Sequence, residues 1–118
     1  LRETLLKLKE TYFLGIISNC EDGYIQAFLS AHDYWDIIDD FECIGRTGRC
    51  KGDNIRLVIE RNDIDRAIYV GDTASDQAAA QLDGIPFVHA AYGFGKVESE
   101  QKLNCIADIV EKAAELLL

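Results

Sequence analysis

Short apolar runs alternate with segments of helical period along the whole chain, and this alternation restricts the fold more than any other feature. Leu1, Leu5, Leu6 and Leu8 recur at helical spacing, and Tyr12 to Ile17 then form an apolar run rich in β-formers that stops at Ser18-Asn19. Helical period returns from Asp22 to Ala31 through Tyr24, Ile25, Phe28 and Leu29. His32 to Asp40 reads as a turn-rich or short helical connection, and Phe41 to Ile44 as a second strand bounded by Gly45. Beyond the loop of residues 45–49, Asn54 to Arg61 puts Ile55, Val58 and Ile59 on one face, and Ala67 to Val70 is a compact strand ending in Gly71. The alanine-rich stretch Ala74 to Leu82 predicts a helix closed by Asp83-Gly84, Ile85 to His89 another strand, and Ile106 to Leu118 a terminal amphipathic helix.

Strands that are apolar on both faces and alternate with helices predict an α/β fold, a parallel sheet with helices on either side, of Rossmann-like type. With 118 residues the chain supports one core and so one domain over residues 1–118. Hydrophobic residues make up 48% of it and only one residue is proline, enough apolar surface to offset chain entropy. In such sheets ligands bind beyond the C-terminal ends of the strands. The polar residues there are Ser18-Asn19, Gly45 to Lys51, Asp72 to Asp76, and His89 to Gly95.

Charge and cysteine content narrow the classes of partner. Twelve basic against twenty-one acidic residues give a net charge of -9, which repels a polyanion, so neither nucleic acid nor an acidic membrane surface is an expected partner. No apolar run approaches membrane-spanning length and the amphipathic start is no secretion signal, which makes a cytoplasmic location the expectation. Cys20, Cys43, Cys50 and Cys105 have irregular spacing with no C-x-x-C pair, which fits reduced, mostly buried thiols and neither a zinc site nor a disulfide framework. The chain opens on Leu1 already in helical register, and the expectation is a fragment or a processed product.

Asp72 stands at the tip of the strand that ends in Gly71, and Asp76 follows one helical turn later, so two carboxylates can face one point. Hard oxygen donors of this kind suit magnesium; equally, Asp72 or Thr73 can cap the next helix with Asp76 a solvated charge in its first turn. Ser18 can offer a hydroxyl to a phosphate oxygen or serve as an ordinary turn residue. Lys51, before the helix of Ile55 to Ile59, can neutralise a phosphoryl group or stand as a surface lysine. Arg46 and Arg49 make its loop locally basic, an attraction for an anion or simply a solvated loop. His32 and His89 are solitary and read as structural or peripheral, and Tyr34 and Trp35 as packing residues.

Taken in order, the strand ending in Ser18, Lys51 at a helix start, and the strand followed by Gly71-Asp72-Thr73-Ala74-Ser75-Asp76 resemble motifs two, three and four of the haloacid dehalogenase-like hydrolase superfamily. Gly84-Ile85-Pro86, leading to Ala91-Tyr92-Gly93-Phe94-Gly95, resembles its phosphoglycolate phosphatase-like branch. The resemblance implies a three-layer Rossmann-like sandwich and magnesium-dependent hydrolysis of a small phosphomonoester. By motif, Ser18 would hydrogen-bond the transferring phosphoryl group, with Asn19 adding contacts near it. Lys51 would stabilise the charge shared by nucleophile and phosphate, Asp72 would ligate magnesium, and Asp76 would support the metal waters or Lys51. Gly52 stands where the family commonly has proline after the lysine.

Motif one, D-x-D-x-T/V after a strand, supplies the family's nucleophile, and it does not occur here: Asp36-Ile37-Ile38-Asp39-Asp40 has another form. The resemblance implies that the nucleophile strand and a cap domain lie in an N-terminal segment of a longer parent, and that a gap is left between the strand ending at Ser18 and the one ending at Gly71. The 118 residues alone are then expected to be inactive. Phosphomutase or pyrophosphatase chemistry on the same motifs, or a non-catalytic binding or regulatory module of the same fold, are the alternatives.

Overall fold

The computed structural model of the chain describes residues 2–90, 102–103 and 108–117. The expected Ala91 to Gly95 segment, Cys105 and the start of the expected last helix lie outside the described residues. The chain divides into two compact units, Leu5–Asp63 and Ile64–Leu118 with Leu1–Thr4.

In the first unit, strand β1 (Gly15–Ser18) pairs in parallel with β2 (Asp40–Cys43), Gly15 opposite Asp40 and Ser18 opposite Cys43. Side chains alternate across a strand, so Ile16, Ser18, Phe41 and Cys43 share one face of this ladder. Helix α2 (Tyr24–His32) covers that face: Ile25 and Leu29 form a buried cluster with Tyr34, Ile37 and Cys43, against which Leu5, Leu14, Ile16 and Phe41 pack. Leu29 and Ile37 are 0% and 2% exposed, each worth about 1.5–3 kcal/mol of burial. Helix α1 (Arg2–Lys9) precedes β1, and a short helix α3 (Ile44–Thr47) leads out of β2.

The opposite face carries Gly15, Ile17, Asp40 and Glu42, and helix α4 (Lys51–Arg61) packs there, with Val58 Cγ1 at van der Waals distance from where a Gly15 side chain would begin. Acidic residues are tolerated on this inner face because Arg61 reaches back to them. Its Nε and Nη2 bind the two Asp40 oxygens at 2.7 Å each, Nη1 binds Glu42 Oε2 at 2.9 Å, and Nη2 also donates to the Phe41 carbonyl. Asn62 Nδ2 adds a bond of 2.7 Å to Asp40, and Arg46 Nε approaches the other Glu42 oxygen at 3.1 Å while its guanidinium lies over the Phe41 ring. Glu42, 2% exposed, therefore has both oxygens paired, which is the condition for burying a charge.

In the second unit, β3 (Tyr69–Gly71), β4 (Phe87–Ala90) and β5 (Lys102–Leu103) form a parallel ladder in that order, with Gly71 opposite His89. Helix α5 (Ala74–Leu82) packs on β3 and β4, and α6 (Ile109–Leu117) closes the chain. All four residues of β4 are buried, the both-faces burial expected of a parallel strand. Among the described residues this unit's buried apolar positions are Ala79, Ala80, Phe87, Val88, Ala90, Ile109 and Ala113. Among the described residues no ladder joins β1 or β2 to β3, so the strands form two parallel sheets.

Several expected boundaries move. The first strand begins at Gly15 rather than Tyr12, and α4 begins at Lys51 rather than Asn54, because Gly52 is buried inside its first turn instead of breaking it. The loop expected at 45–49 contains α3, and β5 has no counterpart in the sequence reading, being two residues long. Trp35, expected to pack, is 48% exposed, its indole N–H bound to Ser30 Oγ and its ring edge-on to Phe41. Tyr34 is buried as expected.

Replacing Arg61 by methionine strips Asp40 of its fork and Glu42 of one partner. The expected cost is about 2 to 3 kcal/mol in urea unfolding, below the range for a fully buried pair because Arg61 is 35% exposed. Burial alone would raise the Asp40 carboxyl, but the bonds from Arg61, Asn62 and the Phe41 amide outweigh it and hold it below its ordinary 3.8. Its contribution is thus fully present above pH 3.8 and is lost as pH falls through the lower folded-state value. Unfolding curves across that acid range should show a shallower pH slope in Arg61→Met.

Candidate active site

The best-defined site lies at the β3–α5 corner. Thr73 is the N-cap of α5: its Oγ1 accepts from the Asp76 amide at 3.2 Å, while Asp76 Oδ2 accepts from the amides of Thr73 at 3.3 Å and Asp72 at 3.1 Å. This reciprocal arrangement is a capping box, satisfying helix-end donors that would otherwise lack partners, and the Thr73-x-x-Asp76 spacing was its legible signal. Asp76 is 6% exposed. The alternative of Asp76 as a solvated first-turn charge is therefore wrong for this fold, and Thr73 is the cap.

Gly71 makes the corner possible. A Cβ at position 71 would sit 2.5 Å from both Cβ and Oδ2 of Asp76, closer than real contacts allow. The missing side chain is what lets the Asp76 carboxylate fold back over the strand end. Asp72 then follows with its amide engaged by Asp76, and among the described residues no hydrogen bond occupies its own carboxylate. Tyr69 lies two residues before Gly71, and burial, then the charges of Asp76 and Asp72, push its phenol well above the ordinary tyrosine value. Both carboxylates thus act on one neighbourhood, where Tyr69 stays a neutral hydroxyl.

These oxygens fit magnesium in kind, since that ion takes one or two carboxylates and completes its shell with water and phosphate oxygens. Among the described residues no three acidic, histidine or cysteine side chains gather into a fuller ligand set. His89, paired in register with Gly71 and stacked on Phe87, is 6% exposed, and neither ring nitrogen finds a hydrogen-bond partner among the described residues. It is buried in the sheet, not peripheral.

Ser18 and Lys51 belong to the other unit. Ser18 closes β1 half-buried, and Asn19 follows it exposed. Lys51 is the first residue of α4, half-buried. A cation there faces the positive end of the helix dipole, which opposes it. Its position is set by a network that sequence inspection missed. Asn54, 0% exposed, donates from Nδ2 to the Arg49 carbonyl at 3.2 Å, and its Oδ1 accepts from Thr47 Oγ1 at 2.7 Å. The Arg49 amide donates to Thr47 Oγ1 at 3.1 Å. These bonds staple the 47–49 loop to the first turn of α4. Nothing in the sequence marked Asn54 beyond its being a polar residue on an apolar face. Arg46, considered for anion attraction, is engaged by Glu42 and Phe41.

The fold places the chain among haloacid dehalogenase-like structures. It superposes on a HAD-superfamily hydrolase, subfamily IA, variant 1, from Geobacter sulfurreducens with a TM-score of 0.83 and 22% identity, covering 94% of this chain and 53% of that one. A 2-haloacid dehalogenase from Pseudomonas syringae gives 0.81 and 20% identity, over 98% and 52% of the two chains. A HAD phosphatase from Thermococcus onnurineus gives 0.78 and 22%, over 93% and 54%. The chain spans little more than half the length of these proteins. The sequence pattern of haloacid dehalogenase-like hydrolases matches residues 1–90 of the 118, and the chain belongs to that family. No curated protein matches it in sequence.

Substituting Gly71 by alanine should cost about 1–3 kcal/mol by overpacking against Asp76, and Thr73→Ala about 1 kcal/mol through loss of the cap. Chemical denaturation of the two variants measures both; an unchanged Gly71→Ala midpoint would contradict the close approach at the corner.

Proposed function

We propose that the chain is the C-terminal portion, residues 1–118, of the core of a cytoplasmic phosphohydrolase that hydrolyses a small phosphomonoester with magnesium. Family membership supports the hydrolase class. The β3–α5 corner carries the finer reading: a half-buried Asp72 carboxylate at a strand tip, backed by a buried Asp76 that capping holds in place. Asp72 and Asp76 would hold the magnesium, which when bound supplies positive charge to a phosphoryl oxygen. Ser18 donates its hydroxyl to the phosphoryl group, Asn19 adds a contact beside it, and Lys51 offsets the negative charge that builds during transfer. The nucleophile is an aspartate of a D-x-D-x-T stretch outside these residues, in an N-terminal segment of the same parent protein, forming a phosphoaspartate; the 118 residues alone are inactive.

The net charge of -9 supports a small substrate over a nucleic acid, with no membrane partner. Among the described residues no helix is long and apolar enough to cross a membrane. A 2-haloacid dehalogenase shares the fold, so dehalogenation is the competing outcome to exclude, along with phosphomutase, pyrophosphatase and non-catalytic readings.

Turnover of p-nitrophenyl phosphate by the parent protein, with and without magnesium, tests the proposal. Asp72→Asn should abolish the magnesium-dependent rate, and Lys51→Ala should lower it by about 10²–10³. Halide release from a 2-haloacid without phosphate-ester turnover, or full activity in Asp72→Asn, overturns it.

A further inference from the structure

Two of the cysteines, far apart in sequence, meet beside the end of β1. Cys43 closes β2 opposite Ser18, and parallel strands run about 4.8 Å apart. Cys20 lies two residues past Ser18, and its carbonyl accepts a hydrogen bond from the Gly45 amide at 3.0 Å. A Cβ on Gly45 would stand 2.6 Å from Glu21 Cα, so the chain after Cys20 lies pressed against the chain after Cys43. The Cys20 side chain packs on the buried cluster that contains Cys43. Exposure separates their roles, Cys43 being 0% exposed and Cys20 half-buried.

We infer that Cys20 and Cys43 form an oxidative modification site, a dithiol that a peroxide converts into a disulfide tying the Ser18-Asn19 turn to the end of β2. Hydrogen peroxide reaches Cys20 first: the Cys20 sulfur takes one peroxide oxygen, the O–O bond breaks, and one water leaves with the sulfenic acid in place. The Cys43 sulfur then attacks the Cys20 sulfur, the S–O bond breaks, and a second water carries off the Cys43 proton. Two thiols lose two electrons and two hydrogens, and one peroxide becomes two waters. Burial pushes the Cys43 thiol up, with a further push from Cys20 against the pull of the Arg46 amide. Cys43 is therefore a weak free nucleophile, and it serves as the resolving thiol because contact replaces a bimolecular encounter. In a reducing compartment the pair rests as the dithiol and closes transiently. The inference does not depend on the proposed catalysis.

The test treats the reduced protein with stoichiometric hydrogen peroxide, alkylates the remaining thiols and maps peptides after cleavage at aspartates, which separates Cys20 from Cys43. The expected result is a peptide pair joined through these two cysteines, an intact mass lower by two hydrogens, a raised thermal midpoint and full reversal by dithiothreitol. Cys20→Ser and Cys43→Ala should each lose the cross-link; should Cys43→Ala fail to fold, Cys20→Ser, at the half-buried position, decides alone. A cross-link to Cys50 or Cys105, a link surviving either substitution, or oxidation of Cys20 to sulfinic acid with Cys43 still alkylated would overturn the inference.

Discussion

The guanidinium of Arg61 is a planar fork whose donors hold fixed directions, and three of them reach Asp40 and Glu42 while one also reaches the Phe41 carbonyl. Side chains of ordinary flexibility would let a helix slide along a two-stranded ladder; this one fixes the C-terminal end of α4 to β2. At about 1.5 Å per residue the other end of that 11-residue helix lies about 16 Å away. Lys51 stands at that far end, and the Thr47–Asn54–Arg49 bonds secure it there. The placement of one candidate functional cation thus rests on an ion pair a whole helix length distant.

The two candidate groups at helix starts show opposite relations to the helix field. Asp76 is stabilised by the N-terminus of α5 and contributes two amide bonds to it. Lys51 is opposed by the dipole at the N-terminus of α4. A residue that serves stability says little about function, because folding would retain it anyway. Asp76 has the sharper geometry, and the cap accounts for part of it.

What was legible in the sequence was whatever local chemistry marks. Helix α5 came out at its bounds because its alanine-rich run from Ala74 to Leu82 favours helix and Asp83-Gly84 closes it. The first four strands followed from apolar runs, and the polar tips at Ser18 and Asp72 followed from what succeeds two of them. Boundaries shifted where glycines hide helix: Gly52 is buried in the first turn of α4, and Gly45 with Gly48 conceals the single turn of α3. The Arg61 fork was invisible because its partners lie 19 to 21 residues away. The nearness of two cysteines was hidden for the same reason. Irregular spacing suggested reduced, mostly buried thiols; the described cysteines are free, but only Cys43 is buried, and strand pairing brings Cys20 towards it.

The contact between Gly71 and Asp76 constrains the two positions unequally. Any side chain at 71 collides with the Cβ of Asp76 as well as with its carboxylate, so trimming the aspartate to alanine leaves the clash in place. Position 71 is therefore held to glycine by the path of the chain at the corner and not by the carboxylate alone. An acid can be lost at 76 while the glycine persists, so the glycine records the close approach of the backbone and not whether a lineage has kept its acidic pair.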